Sequence, residues 1–332
     1  MPWRRSRDAY RIWVAEVMLQ QTRTAAVMPY YQKFLRQFPS VQSLARARES
    51  EVLKYWSGLG YYSRAQNLHR AAREIVLVHE GEFPHEYNAA LALPGIGRYT
   101  AAAVLSIAYD VPLAVLDGNV ARVLARLGAI CGDLREPWRW KSLENAALEM
   151  LAQNAPGDWN QALMELGETV CTPKSPRCDV CPVAPFCRAR KERLTQVIPA
   201  PRKKRAAVAI TIAAAVLRDA QGRTLLIKDP GAHDHVVFSR MWQFPAVEVK
   251  EDPAQELMQQ LRDTLGLSEV ALQKLPAARH AVTFRNVTLQ PYLANVTSLP
   301  RVGRTRMIPL EEIGTLPISS ATRKIAAAAI SR

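Results

Sequence analysis

The sequence predicts an all-α region over residues 1–192, a basic linker at 193–206, and a smaller α+β region over 207–332. Three observations carry this division. Apolar residues recur at helical spacing from residue 7 to about 175, broken only by short Gly/Pro loops, with no β-rich run. Around Val197-Ile-Pro-Ala-Pro-Arg-Lys-Lys-Arg205 the composition turns Pro-rich and basic, as connectors do. Beyond it the texture changes to short strand-like runs separated by turn residues.

In order, helices are expected at 10–21, 24–37, 41–45, 49–57, 63–79, 87–92, 98–109, 120–127, 140–153 and 159–170. In the second region, 208–217 and 224–228 read as strands around the turn Asp219-Ala-Gln-Gly222. A helix follows at 253–265, then further strands over 282–293.

The chain has 332 residues, which favours two domains, and 48% hydrophobic residues is ample for packed cores. No apolar run approaches the ~20 residues that cross a bilayer. Met1-Pro-Trp-Arg-Arg-Ser-Arg7 is charged but leads into no apolar stretch, so no signal peptide is expected. The expected compartment is the cytoplasm, or the nucleoid of a bacterium. A net charge of +14 points to a polyanionic partner. Charge alone does not separate DNA from RNA, ribosome or anionic membrane, but no long basic amphipathic stripe suggests a membrane.

Trp13-Val-Ala-Glu-Val-Met-Leu-Gln-Gln-Thr22 reads as one helix with a single carboxylate, Glu16. Three and four positions away lie Ile12, Trp13, Leu19 and Gln20. Desolvation in such company raises a carboxyl pKa, which suits a general acid. The bland alternative is a Glu whose head reaches solvent past its neighbours. Leu93-Pro-Gly-Ile-Gly-Arg-Tyr-Thr100 lies between two helical segments. Gly95 and Gly97 allow a tight hairpin whose backbone N–H groups approach a phosphate at a helix N-terminus. Asp117 or Asn119, in Leu116-Asp-Gly-Asn-Val120, can cap the helix that follows. A carboxylate there is favoured in its ionised form, so Asp117 is expected to be pushed down as Glu16 is pushed up. Two carboxylates separated in this way suit cleavage of a glycosidic bond. Cys171, Cys178, Cys181 and Cys187 follow C-x6-C-x2-C-x5-C, which suits a zinc ion or an iron–sulfur cluster. Cys131 lies apart in an apolar setting and reads as a core thiol.

Five motifs in order resemble the adenine DNA glycosylase (MutY) family of the endonuclease III superfamily. They are Glu16 in its helix, Gly58-Leu-Gly-Tyr-Tyr-Ser-Arg64, the 93–101 hairpin, Leu116–Val120 and the cysteine spacing. The resemblance covers residues 2 to about 190. It implies an all-α helix-hairpin-helix glycosylase region with an iron–sulfur subdomain, followed by a smaller α+β Nudix-like domain. The implied cofactor is a 4Fe–4S cluster on the four cysteines, structural rather than hydrolytic. The implied partner is double-stranded DNA containing a mismatched adenine, bound by a monomer without a membrane. By resemblance, Glu16 protonates the adenine ring, Asp117 stabilises the sugar cation, and Asn119 and Tyr99 support Asp117. Arg4 and Gln20 match positions near the flipped adenine; Gln21 and Tyr61 match residues that wedge into the duplex. Bifunctional relatives carry lysine at the Tyr99 position, and tyrosine cannot form their Schiff base, so base removal without strand cleavage is implied.

Two features depart from the family. Where its members carry a Phe-Ser-His triplet, this chain reads Val282-Thr283-Phe284, and only Thr283 keeps a hydroxyl for 8-oxoguanine. Members also often carry a further segment ahead of Pro2-Trp-Arg4. Met241-Trp-Gln-Phe-Pro245 matches a Nudix landmark loosely, but Gln259–Gly266 lacks the glutamates of a working Nudix hydrolase, so pyrophosphate hydrolysis is not expected. Two other readings are a glycosylase of the same fold with another mismatch preference and a non-catalytic iron–sulfur DNA-binding protein. Retention of both Glu16 and Asp117 disfavours the second, because binding alone requires neither.

Overall fold

A computed structural model of the chain describes residues 1–201, 206–228, 241–282 and 285–331. Thr283 and Phe284 therefore lie outside the described residues, as do 202–205 and 229–240. The chain forms two compact units: Met1–Ala47 with Ser63–Lys203, and Arg48–Tyr62 with Lys204–Arg332.

The first unit is helical. After a short turn at Pro2–Arg5 come α1 (Ala9–Leu19), α2 (Thr24–Gln37) and α3 (Val41–Arg46). α4 (Glu49–Trp56) groups with the second unit, and α5 (Tyr62–Val78) returns the chain to the first. Then follow α6 (Tyr87–Ala92), α7 (Arg98–Tyr109), α8 (Gly118–Leu127), α9 (Pro137–Glu149), α10 (Pro156–Glu165) and α11 (Arg188–Lys191). α1 starts where the Asp8 carboxylate accepts from Arg11 N at 3.1 Å, an N-cap that satisfies an otherwise unpaired donor. It is apolar nearly all round, and residues 12–18 are all buried. Each large side chain buried there contributes ~1.5–3 kcal/mol. α7 packs on α1, and its Ala101, Ala102 and Ala103 are all buried. Pro137 and Pro156 open α9 and α10 at the first helical position, where a missing N–H costs nothing. The periodicity had placed those starts near 140 and 159, because it does not register a proline as a helix beginning.

Two expectations change. Cys131 is exposed, not a core thiol, because it sits in the loop after α8 rather than on an apolar face. The first part of the expected linker is tied down: Ile198 is buried, its carbonyl accepts from Arg126 Nε at 2.8 Å, and Ala200 N donates to Gly132 O at 3.2 Å.

The second unit centres on a mixed sheet. Its strands are β1 (Val208–Arg218), β2 (Arg223–Lys228), β3 (Trp242–Gln243), β4 (Ala246–Val249), β5 (Gln273–Lys274), β6 (Ala278–Val282), β7 (Arg285–Asn295) and β8 (Thr305–Pro309). β1 and β7 run parallel along eleven residue pairs at the centre. Their apolar residues on successive positions face opposite ways, so both faces need cover. α13 (Ser320–Ile330) covers Ile212, Ala214 and Val216 with Ile325, Ala326 and Ala329. α12 (Pro253–Leu265) covers Ala213, Ala215 and Leu217 with Leu257, Leu261 and Leu265. This is the smaller α+β domain that the sequence predicts. Among the described residues, no helix is long and apolar enough to cross a membrane.

Candidate functional site

Glu16 sits on the most deeply buried helix and is itself only 3% exposed. The Tyr99 hydroxyl donates to its Oε2 at 2.7 Å. α7 begins at Arg98 and lies against α1, so Tyr99 in its first turn faces the acid. Burial raises the Glu16 carboxyl above its ordinary range; the Tyr99 bond and the Arg4 cation oppose this, while the charges of Asp117 and Glu168 add to it. Tyr99 is pushed well above its usual value, first by burial and then by Glu16 and Asp117. Glu16 and Asp117 therefore lie within electrostatic reach of one another, and Tyr99 within reach of both. The sequence places Tyr99 in support of Asp117; the structure gives its hydrogen bond to Glu16.

Asp117 is the N-cap of α8. Its Oδ1 accepts from Asn119 N at 2.9 Å and Val120 N at 2.7 Å, and its Oδ2 from the Asn119 amide at 3.1 Å. The expected downward shift does not hold. Burial outweighs these three donors and the Arg122 cation, and the carboxyl is raised. The motif displayed the cap but not how little water reaches it.

Asn119 is held in turn by Arg122, whose Nη2 donates to Asn119 Oδ1 at 2.9 Å and to Gly167 O at 2.7 Å. Arg122 Nε also donates to Cys171 O at 2.8 Å. Gly167 has no room for a side chain: a Cβ would lie 2.8 Å from Asn119 Cβ. Sequence reasoning assigned no role to Arg122 or Gly167. An arginine five positions after the capping Asp117 was a usable signal; the glycine contact is non-local and offered none.

Arg4 ion-pairs with Glu165 at 3.7 Å and Glu168 at 4.0 Å, which brings its charge to bear on Glu16. Glu168 also accepts from the Thr24 hydroxyl and was likewise unassigned. Gln20, the C-cap of α1, donates to Thr100 Oγ1 at 3.2 Å. The end of α1 is gripped by Arg64, which donates to the carbonyls of Val17 at 2.8 Å and Met18 at 2.9 Å, and to that of Gln20. A cation bonded to the last carbonyls of a helix satisfies them and complements its dipole. Gln21 follows directly, exposed and at φ 58°. In the second unit Tyr61 shares both properties, at φ 47° and 41% exposed. A non-glycine residue held at positive φ is strained, and such strain concentrates at functional sites.

The hairpin between α6 and α7 is anchored by buried Leu93 and Ile96. Gly95 lies at φ 77°, and a Cβ there would meet Asn67 at 2.6 Å. Gly97 caps α7 with open space on its Cα side, room for a phosphate to approach the backbone.

Cys171, Cys178, Cys181 and Cys187 line one cavity together with Val123, Leu166 and Arg126. Among the described residues no three His, Cys, Asp or Glu converge on a single-ion point; the thiols border a cavity instead. The Cys178 thiol is raised, mainly by burial and then by the other three cysteines, so all four share one field. Arg126 is buried and donates to Cys171 Sγ at 3.3 Å and to Thr172 O at 2.8 Å. A cation held against a group of thiolates fits a multi-atom cluster with net negative charge.

Comparison with known proteins bears on both halves of the site. Residues 14–144 match the HhH-GPD superfamily base excision DNA repair protein family, and 171–187 match the iron-sulfur binding domain of endonuclease III. That second match resolves the choice between zinc and iron–sulfur, and the cofactor is a 4Fe–4S cluster. Among solved structures, a thermostable thymine-DNA glycosylase superposes with TM-score 0.51 at 28% identity, covering 58% of this chain and 88% of that one. A non-covalent endonuclease III–DNA complex has TM-score 0.50 at 24% identity, over 57% and 87%, and shares the fold. The Homo sapiens adenine DNA glycosylase is 46% identical over 200 residues, 58% of this chain and 37% of that protein. The Mus musculus adenine DNA glycosylase is 33% identical over 380 residues, 98% of this chain and 74% of that protein. A buried acid on α1, an aspartate that caps α8 within its electrostatic reach and sequence similarity along almost the whole chain lead to one conclusion: the chain belongs to the adenine DNA glycosylase family, hydrolases of N-glycosyl bonds in base excision repair.

Proposed function

We propose that the chain excises adenine mispaired with 8-oxoguanine or guanine in double-stranded DNA, as a monofunctional glycosylase. The observation that carries this is the pairing of Glu16, buried and raised, with a tyrosine rather than an amine. Adenine is a poor leaving group unless its ring is protonated. Glu16, its carboxyl raised by burial, delivers a proton to the ring of the flipped base. Asp117, positioned by two backbone N–H groups and Asn119, meets the positive charge that develops on the sugar. That charge favours the carboxylate and offsets the burial that raises it in the free protein. Glu16, now deprotonated, takes a proton from the incoming water. Tyr99 orients the acid through Oε2 and leaves Oε1 to exchange the proton. It offers no amine, so the abasic strand stays intact.

Arg4 and Gln20 border the base, Gln21 and Tyr61 fill the space it vacates, and Gly95 and Gly97 receive a phosphate. Thr283 supplies the remaining hydroxyl of the lesion-reading tract. Cys171, Cys178, Cys181 and Cys187 hold the cluster, which supplies a structural crosslink when bound. The test is incubation with a panel of duplexes carrying adenine opposite 8-oxoguanine, guanine, cytosine or thymine, scored for breaks with and without alkali. Alkali-dependent breaks at adenine opposite the two guanines are expected. Excision of thymine instead, or breaks without alkali, overturns the reading.

A further inference from the structure

The second unit contains more than the sheet and its two helices. It also contains residues 48–62, and so the segment that ends in Tyr61. That segment is bonded to the C-terminal part of the unit at Ser57. The Ser57 hydroxyl donates to Ile318 O at 2.8 Å and accepts from Arg323 Nη2 at 2.9 Å, so both its capacities are used. Ser57 is buried, and the Tyr62 hydroxyl reaches the same Ile318 carbonyl at 3.4 Å. The anchor is itself fixed. Ile318 is fully buried and bridges Trp242 of β3, whose N–H donates to Pro317 O at 3.1 Å. The next residue, Ser319, caps α13, and Arg323 lies one turn along that helix.

Between Ser57 and Tyr62 stand Gly58 at φ 111°, Gly60 at φ 73° and Tyr61 at φ 47°. A loop with three positive-φ residues has many alternatives, and it holds one conformation only if its ends are fixed. We infer that Ser57, Ile318 and Arg323 are positioning residues for Tyr61, so that the C-terminal unit acts on adenine excision by holding the wedge loop in shape. This rests on the assignment of Tyr61 as a residue that enters the duplex. It adds a route by which the C-terminal unit affects excision without touching the opposite base.

The experiment uses the full chain and a duplex with adenine opposite guanine and 2-aminopurine as the neighbouring base. The amplitude of its fluorescence rise reports unstacking on binding, and single-turnover excision is followed alongside. Ser57→Ala and Arg323→Ala should each lower the amplitude and slow excision by about tenfold, the order of one hydrogen bond to a charged group. Arg323→Lys should restore part of both. In a Tyr61→Ala background neither substitution should have further effect, because the residue they position is gone. Thermal melting of each variant separates a positioning effect from a loss of folded protein. If Tyr61→Ala alone leaves the amplitude unchanged, the wedge assignment falls and the inference falls with it. If Tyr61→Ala lowers the amplitude while Ser57→Ala and Arg323→Ala do not, the wedge stands and the inference is wrong. An Arg323→Ala variant whose binding salt slope drops by about one contact reassigns Arg323 to a phosphate and also overturns it.

Discussion

Replacing Tyr99 by phenylalanine removes one hydroxyl and keeps the ring. That hydroxyl donates to Glu16 Oε2 at 2.7 Å and is the strongest influence opposing the burial of the acid. A donor to a carboxyl favours the ionised form, so its removal leaves Glu16 protonated to higher pH. Hydrogen bonds to charged groups net ~1.5–3 kcal/mol, roughly a ten- to hundredfold change in the ionisation equilibrium. Excision needs Glu16 as the acid, so its rate falls as pH rises through the folded-state pKa. In Tyr99→Phe that alkaline limb should therefore move to higher pH. The plateau below it should drop by up to about tenfold, because the carboxyl loses the contact that orients its free oxygen. The assay is single-turnover excision from a preformed complex across the alkaline range, with DNA binding measured at each pH. A limb that stays in place, or moves to lower pH, refutes the assignment of Tyr99 as the group that tunes the acid.

Glu16→Gln should cut excision by ~10²–10⁴-fold with mismatch binding retained; unchanged single-turnover excision removes Glu16 from the chemistry. The same variant should gain stability relative to the parent as pH rises. Glu16 is raised in the folded state, so it stabilises most below its unfolded pKa, and that contribution is lost as the pH passes its folded value. Thermal melts of both proteins at acid and alkaline pH check the sign. Gly95→Ala should cost roughly 1–3 kcal/mol, since it forces a side chain into positive φ and against Asn67; unaltered melting and DNA affinity would show that the hairpin rearranges freely. Purified protein should be brown, with a broad absorbance at roughly 400 nm, and stoichiometric zinc without iron or sulfide would contradict the cluster. A chain ended at Pro201 should still excise adenine, more slowly, and lose about tenfold of its preference for 8-oxoguanine over guanine; an unchanged ratio excludes the second unit as a lesion sensor.

Most of the helical half was legible because it obeys local rules. Asp117 and the glycines of the hairpin announce a helix start and a turn within a few residues, and Glu16 stands out as one carboxylate among apolar neighbours. What the sequence concealed is non-local. The direction of the Asp117 shift depends on how much water reaches a cap, and burial there is set by the packing of α8 against the π turn at Leu166–Val170. The partner of Tyr99 depends on which helix α7 meets, 83 positions away in sequence. Cys131 shows the opposite error, since apolar neighbours in sequence did not make an apolar surrounding in space. The grouping of residues 48–62 with the sheet crosses more than 250 positions, as the bond from Ser57 to Ile318 shows, and no periodicity reports such a contact.

The placement of the acid on α1 ties two quantities that most enzymes keep separate. Residues 12–18 are all buried, so the packing that stabilises the domain is also the solvent shield that sets the acidity of Glu16. A large-to-small substitution at Ile12, one turn before Glu16 on α1, that let water reach the carboxyl would draw its pKa back toward that of a free side chain. Such a protein would give up the proton of its acid at lower pH than the parent does. The hydrophobic core of this helix is thus a hydration gauge, and a packing defect there would be read in the pH dependence of excision as well as in a melting curve.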